Sequence, residues 1–111
     1  MNLKYLLEKQ KQLDDYIIKA KCLERFDRKA RMNNTALAMF VEMGEMMNEI
    51  RSFKHWSDKL PSHHTVIIDE YVDVLHFFLS LANQLGFSAE DIEVAYEKKN
   101  KVNFERQNTR Y

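Results

Sequence analysis

Apolar side chains recur at helical spacing in four stretches of the chain. These stretches cover residues 2–29, 35–54, 65–85 and 89–105, and each repeats its apolar positions at intervals of three or four residues. The third stretch is apolar almost all round, which predicts a helix buried on most of its sides. The pattern therefore predicts an all-α protein: a single domain over residues 1–111, folded as an antiparallel bundle of four main helices.

Helix boundaries are marked by only a few residues. Thr35, with the two asparagines before it, is typical of an N-cap for the second helix. Gly86 predicts a left-handed C-cap for the third helix, and Ser88 with Asp91 predicts a capping box at the start of the fourth. The chain has only two glycines and one proline, Pro61, so long helices with one clear loop are expected.

Five acidic residues stand out against this pattern. Glu42, Glu45 and Glu49 share one face of the second helix, and Glu70 and Asp73 lie one turn apart on the third. The glutamates of the second helix alone are most simply explained as a solvated face. Carboxylates on an apolar helix are costly unless they are paired or bind a metal. The sequence therefore indicates either a buried salt bridge or an all-oxygen site for Mg²⁺, with Mn²⁺ as a second possibility.

A di-iron bundle is a rival metal site. Such bundles place a carboxylate and a histidine three residues apart on two helix pairs. Asp73 and His76 approximate one half of that pattern, but no second half exists. Oxygen ligation, and hence Mg²⁺ or Mn²⁺, is favoured over iron.

Polar residues on two other helices extend the candidate site. Gln10 and Asp14 lie within the apolar stripe of the first helix, either as a partly buried polar pair or as groups turned into a site. On the fourth helix a cationic stripe is expected on the core-facing side, together with several apolar residues, which is typical of salt bridges or of a phosphate-binding surface. Its members are Tyr96, Lys99, Asn103 and Arg106.

Composition and charge narrow the range of partners and compartments. Basic and acidic residues both number 17, so no net charge favours nucleic acid or an anionic membrane. No apolar run is long enough to span a bilayer. Cys22 is the only cysteine, which fits a reducing compartment. A cytoplasmic protein without nucleic-acid or membrane partners is expected.

Specific segments resemble a known enzyme family. The segment E42MGEMMNE49IRSFKHWS57 and the segment D69EYVDVLHFFLSL81 resemble the all-α nucleotide pyrophosphatases. The stretches 9–17 and 96–107 extend the resemblance, most closely to the dimeric dUTPases. The ExxE and ExxD core is shared with MazG-like relatives that act on other nucleotides.

This resemblance implies hydrolysis of dUTP to dUMP and pyrophosphate by attack of water at the α-phosphorus, in a homodimer. It assigns the Mg²⁺ ligands to four carboxylates: Glu42, Glu45, Glu70 and Asp73. It implies that one of these, or Glu49, orients or deprotonates the water. Contacts to phosphate fall to Lys54, Lys99 and Arg106, and contacts to uracil and deoxyribose to Gln10, Trp56, His76 and Asn103, with Tyr96 also among the substrate-binding residues.

Two alternatives to dUTP hydrolysis remain open at this stage. One is a MazG-like pyrophosphohydrolase for another nucleotide, such as dCTP. The other is a catalytically silent helical dimer that binds a nucleotide or a protein.

Overall fold

The computed structural model describes residues 1–109 and consists of helices. The four α-helices are α1 (Leu3–Ala20), α2 (Arg28–Ile50), α3 (His64–Leu85) and α4 (Ala89–Asn108), and a short 3-10 turn at Leu23–Arg25 joins the first two. The prediction of an all-α fold with four main helices is confirmed. None of the helices in this part of the chain is long and apolar enough to cross a membrane.

Helix α3 lies in the middle of the fold, with α1 and α2 packed on either side of it. The side chain of Arg28, at the start of α2, donates to the backbone oxygen of Gln84, near the end of α3. The side chain of Asn83 similarly donates to the backbone oxygen of Leu7. These pairs join opposite ends, so α1 and α2 both run antiparallel to α3.

The core is small and lies where α1 meets α3. Leu7, Leu79 and Ala82 are buried, and Ala89 and Ile92 from the first turns of α4 pack against them. Helix α4 therefore joins the fold through its beginning only. Its later residues are exposed, except for the half-buried Val102.

Three predicted helix boundaries are wrong. Helix α2 ends at Ile50 and not at residue 54, because Arg51 has a left-handed φ of 65° that interrupts the helix. Helix α2 begins at Arg28 and not near Thr35, because the side chain of Asp27 accepts a hydrogen bond from the backbone nitrogen of Ala30 at 2.7 Å and caps the helix. Helix α1 ends at Ala20, before Cys22, which has a left-handed φ of 55° that interrupts the helix. Gly86 and the Ser88 capping box are as predicted.

The predicted burial of α3 on most sides is not found in the single chain. Only Leu79, Ser80 and Ala82 of this helix are buried. Phe78 is 50% exposed and Ile68 is 48% exposed. The reason is geometric: α1 and α2 cover two faces, and α4 leaves the third open.

Candidate active site

An acidic cluster joins α2 to α3. The carboxylates of Glu42, Glu45 and Glu70 each offer an oxygen, and these atoms all lie within 4.8 Å of one another. Asp73 lies outside this tight set, but its charge acts on both Glu42 and Glu70. The two acidic lines of the sequence thus face each other, because antiparallel packing brings the middle of α2 beside the start of α3.

Electrostatics in the acidic cluster disfavour the ionised forms. Burial raises the pKa of Glu42 above its ordinary value, and a hydrogen bond with Glu45 and the neighbouring carboxylates raise it further. Burial likewise raises the pKa of Glu70, followed by the charges of Glu45 and Asp73. Each of the causes that act on the pKa of Glu42 and on the pKa of Glu70 raises it, and none of them is a neighbouring cation.

Two oxygens of the acidic cluster have no hydrogen-bond partner although they are buried. They are Oε2 of Glu42 and Oε2 of Glu70. Unpaired buried carboxylate oxygens are rare because each one forfeits its hydration. Their convergence fits the donor set of a hard divalent cation, which takes carboxylate oxygens as ligands.

Glu49 is held at the end of α2 by the loop that leads to α3. The hydroxyl of Ser62 donates to its carboxylate, and the backbone nitrogen of Ser62 donates to its backbone oxygen at 2.9 Å. The charge of Glu49 contributes to the raised pKa of Glu70. Glu49 therefore lies at the same end of the bundle as the acidic cluster, but its side chain is bonded to Ser62 and is not part of the cluster.

Loop residues 51–63 carry two of the predicted substrate contacts. Lys54 is half-buried, with Nζ 5.6 Å from the ring centre of Phe53. Trp56 is 67% exposed and contacts Phe53 and His55 edge to face. Since the loop connects the end of α2 to the start of α3, both residues lie at the acidic end of the bundle.

A hydrogen-bonded triad links α1 to α3 through the buried amide of Gln10. Its Oε1 lies 2.6 Å from Nδ1 of His76, and its Nε2 donates to Oδ1 of Asp14 at 2.9 Å. Because an amide oxygen only accepts, Nδ1 of His76 is the donor in this pair. Gln10 therefore fixes the orientation of both neighbours.

A cavity of about 260 Å³ lies between α1, α2 and α3, and its lining includes no residue of the acidic cluster. On α3, Phe77 and Ser80 line it, and they follow Asp73 by four and seven residues along one helical face. On α2, Ala38 lines it four residues before Glu42. One helical turn is about 5.4 Å, so the cavity begins one turn away from the carboxylates.

The cationic stripe of α4 does not meet the acidic cluster within one chain. Tyr96, Lys99 and Asn103 are exposed, as is Arg106, which makes an interaction of its own. Lys99 lies instead along an apolar groove between α4 and the last turns of α3. The expectation that this stripe faces the core is wrong for the isolated chain, because α4 packs only through its first turns.

Asp14 lines the cavity but is absent from the site residues that the sequence predicts. The only sign of a role for Asp14 in the sequence is its position near Gln10 within an apolar stripe. That position fits a structural polar pair as well as it fits a site residue. Thr35 and Gln84 also line the cavity. They gave no signal, because single polar residues on a helix are usually solvated.

Comparison with known proteins gives the family of the chain. Residues 2–86 match the dUTPase family, and residues 78–111 match it again, so that the two stretches overlap at the end of α3. A stretch of 58 residues is 41% identical to the dCTP pyrophosphatase of Enterobacteria phage T4, which is 52% of this chain and 34% of that protein. The chain thus covers about a third of the length of this relative. Because the family match extends over nearly all of the sequence, the chain belongs to the dUTPase family.

Proposed function

We propose that this protein hydrolyses a pyrimidine deoxynucleoside triphosphate to the monophosphate and pyrophosphate, with Mg²⁺ or Mn²⁺ as cofactor. The observation that carries the proposal is the convergence of oxygens from Glu42, Glu45 and Glu70 within 4.8 Å. Family membership and the pyrophosphatase activity in the name of the phage relative support it.

The proposed metal ligands are Glu42, Glu45, Glu70 and Asp73. A divalent cation bound there would neutralise phosphate charge and polarise the α-phosphorus. The unpaired buried oxygens of Glu42 and Glu70 support this assignment, since ligation would satisfy both.

In the proposed reaction the oxygen of water forms a bond to the α-phosphorus while the bond from that phosphorus to the α,β-bridging oxygen breaks. The electron pair of the broken bond leaves with pyrophosphate, and a carboxylate accepts the proton of the water. Glu49 is the proposed acceptor. It lies beside the acidic cluster but is held apart from it by Ser62, which leaves it outside the ligand set. Lys54 at the same end is proposed to contact phosphate.

The two comparisons differ in the nucleotide base that they favour. The name of the family favours dUTP, as the sequence predicts, and the phage relative favours dCTP. The cavity beyond the acidic cluster is the proposed site for the base, with Phe77 as an aromatic wall. Gln10 and His76 do not line this cavity and connect to it only through Asp14, the third member of the hydrogen-bonded triad.

We further propose that the chain acts as a homodimer. Large apolar side chains are exposed on α2 and α3, including Phe40 at 67% and Phe78 at 50%. Only three hydrophobic side chains are buried in the described chain, which is a small core for its size. A second copy packed on these faces would remove the apolar surface from water. Sedimentation velocity at micromolar concentration tests this, and a single monomeric species would contradict it.

Turnover with a panel of nucleotides tests the proposed reaction directly. Each nucleoside triphosphate is incubated with the full chain, with and without Mg²⁺, and release of pyrophosphate and monophosphate is measured. We expect turnover that depends on Mg²⁺ and gives pyrophosphate as the only inorganic phosphate product, together with the nucleoside monophosphate. Release of orthophosphate, or no turnover on any nucleotide, would refute the proposal.

A silent helical dimer is the second candidate, favoured by the extent of exposed apolar surface on α2 and α3. It predicts no turnover, and it also predicts that Asp73→Ala leaves nucleotide or partner binding unchanged. The catalytic proposal predicts loss of turnover in Asp73→Ala while the helical content measured by circular dichroism is retained.

A further inference from the structure

The cavity beside the acidic cluster has a wall that offers hydrogen-bond acceptors. Cytosine and uracil differ at ring position 4, where cytosine carries an amino donor and uracil a carbonyl acceptor. A carboxylate accepts from the cytosine amino group, and it repels the uracil oxygen. The side chain that faces this position therefore decides which of the two pyrimidines is accepted.

Asp14 is the carboxylate of this cavity, and its orientation is fixed. Its Oδ1 accepts the hydrogen bond from Nε2 of Gln10 at 2.9 Å. Gln10 is 5% exposed, and its other polar atom is paired with His76. Turning the amide of Gln10 over would place its oxygen against the carboxylate, so the triad has one favourable orientation. The second carboxylate oxygen of Asp14 is left to serve as an acceptor.

Among the other polar groups of the cavity, the amide nitrogen of Gln84 and the hydroxyl of Thr35 are bonded within the fold, whereas Oε1 of Gln84 is buried without a partner and is a second, uncharged acceptor. Nε2 of Gln84 donates to Oγ1 of Thr35 at 2.8 Å and to Oγ of Ser80 at 3.1 Å. The hydroxyl of Thr35 in turn donates to the backbone oxygen of Arg31 at 2.9 Å. Because that hydroxyl proton is engaged, Thr35 accepts from Gln84, which orients the Gln84 amide.

Arg31 is the one cationic residue among those that line the cavity, and it is tied to the backbone. Its Nη1 donates to the backbone oxygens of Phe26 at 2.7 Å and of Leu23 at 3.3 Å. These bonds hold the guanidinium against the 3-10 turn. Asp14 is therefore the one carboxylate among the residues that line the cavity, and the hydrogen bond from Gln10 engages only one of its two oxygens.

The dimensions of the cavity suit a base whose phosphates reach the acidic cluster. Its volume of about 260 Å³ is just below the range of about 300 to 1,000 Å³ that is typical for whole ligands, as expected if it holds the base alone. It shares the face of α3 that carries Glu70 and Asp73 and begins one helical turn beyond Asp73. A deoxyribose between base and triphosphate would span that turn.

We infer that Asp14 selects a 4-aminopyrimidine, so that cytosine nucleotides are preferred to uracil nucleotides. This inference rests on the proposed pyrophosphohydrolase function and adds the base to it. A site that contains a buried hydrogen-bonding group rejects a ligand without the matching group more strongly than a site that discriminates by shape. Replacing the carboxylate by an amide, which presents either an acceptor or a donor, removes the preference.

The test compares kcat/KM for dCTP and dUTP in the wild type, Asp14→Asn and Asp15→Asn, all with Mg²⁺. Asp15 is the matched control, because it is exposed and bonded to Lys11 and loses the same charge outside the base position. We expect the wild type to prefer dCTP by about 100-fold or more. In Asp14→Asn the preference should fall at least tenfold, and in Asp15→Asn it should not change.

A third substrate isolates the amino group itself. The triphosphate of 2-pyrimidinone deoxyriboside keeps the ring acceptors of cytosine but lacks the group at position 4. The wild type should use it at least tenfold less well than dCTP, and Asp14→Asn should use the two more equally.

The outcomes separate this inference from the function on which it rests. Hydrolysis with a preference for dUTP overturns the role of Asp14 and leaves the pyrophosphohydrolase proposal standing. A dCTP preference that persists in Asp14→Asn also overturns it. If the wild type hydrolyses no triphosphate, the proposed function fails and this inference fails with it. Melting curves of the variants check that each one is folded.

Discussion

Replacing Glu45 by glutamine should stabilise the metal-free protein while it removes metal binding and turnover. Glu45 is the exposed member of the acidic cluster, and its carboxylate lies within 4.8 Å of two others. Glutamine has nearly the same shape and retains a hydrogen-bonding oxygen. The substitution therefore removes a charge with little loss of packing.

The size of this effect follows from the distances. Two unit charges 4.8 Å apart repel by about 0.9 kcal/mol at the dielectric constant of water, which suits an exposed side chain. Two neighbouring carboxylates contribute, so the expected gain in the free energy of unfolding of the Glu45→Gln protein is about 1 to 2 kcal/mol. For a chain of this length that gain raises Tm by about 4 to 8 °C.

Metal should reverse this order of stability. A cation at 100 times its Kd adds about 2.7 kcal/mol to the wild type, whereas Glu45→Gln, with Kd raised about 100-fold by the loss of one ligand, should gain only about 0.4 kcal/mol at the same concentration. Differential scanning fluorimetry in EDTA and across a Mg²⁺ titration measures both quantities, and pyrophosphate release measures turnover.

A matched control for Glu45→Gln is Glu97→Gln on the exposed part of α4. This substitution should shift the melting temperature by no more than about 2 °C and should leave turnover unchanged. The reasoning is refuted if Glu45→Gln melts below the wild type in EDTA, or if Mg²⁺ raises the melting temperature of both proteins equally.

Three further predictions test the fold around the site. Ser62→Ala releases Glu49 from the loop and should lower kcat at least tenfold with little change in Mg²⁺ affinity; equal turnover of variant and wild type would count against an anchored Glu49. Ser88→Ala removes the cap of α4 and should lower the free energy of unfolding by about 1 kcal/mol in urea titrations. The backbone and hydroxyl of Ser88 lower the pKa of Asp91, so the separate contribution of the Asp91 carboxylate to stability should be present above the ordinary carboxyl pKa of 3.8 and disappear as the pH falls through the lowered value. Leu79→Ala should cost about 2 to 5 kcal/mol in the same titration, and a loss below 1 kcal/mol would show that α1 and α3 do not share the core described.

The sequence predicted the helices and the acidic cluster for related physical reasons. Apolar periodicity gives the helices, and carboxylates on the nearly apolar α3 required partners that only another element could provide. That Glu70 lies opposite Glu42 could not be predicted from either helix alone, because it depends on the antiparallel pairing of α2 with α3.

Other predictions failed where a local pattern was overridden by packing. Thr35 has the chemistry of an N-cap, but Asp27 lies earlier and already satisfies the first turn of α2. The stripe from Tyr96 to Arg106 has helical spacing, but spacing does not specify which neighbour a helix meets. Asp14 remained undecided because its role depends on the partner of Gln10 across the helix interface.

The single face of α3 that carries both the acidic residues and the cavity residues has a consequence for substitutions along this helix. Glu70 and Asp73 occupy the first turns of that face, and Phe77, Ser80 and Gln84 the later ones. Under the proposed function, phosphorus chemistry and base selection would depend on different turns of one helix. Substitutions in the later turns would then change the accepted nucleotide while Glu70 and Asp73 stay in place.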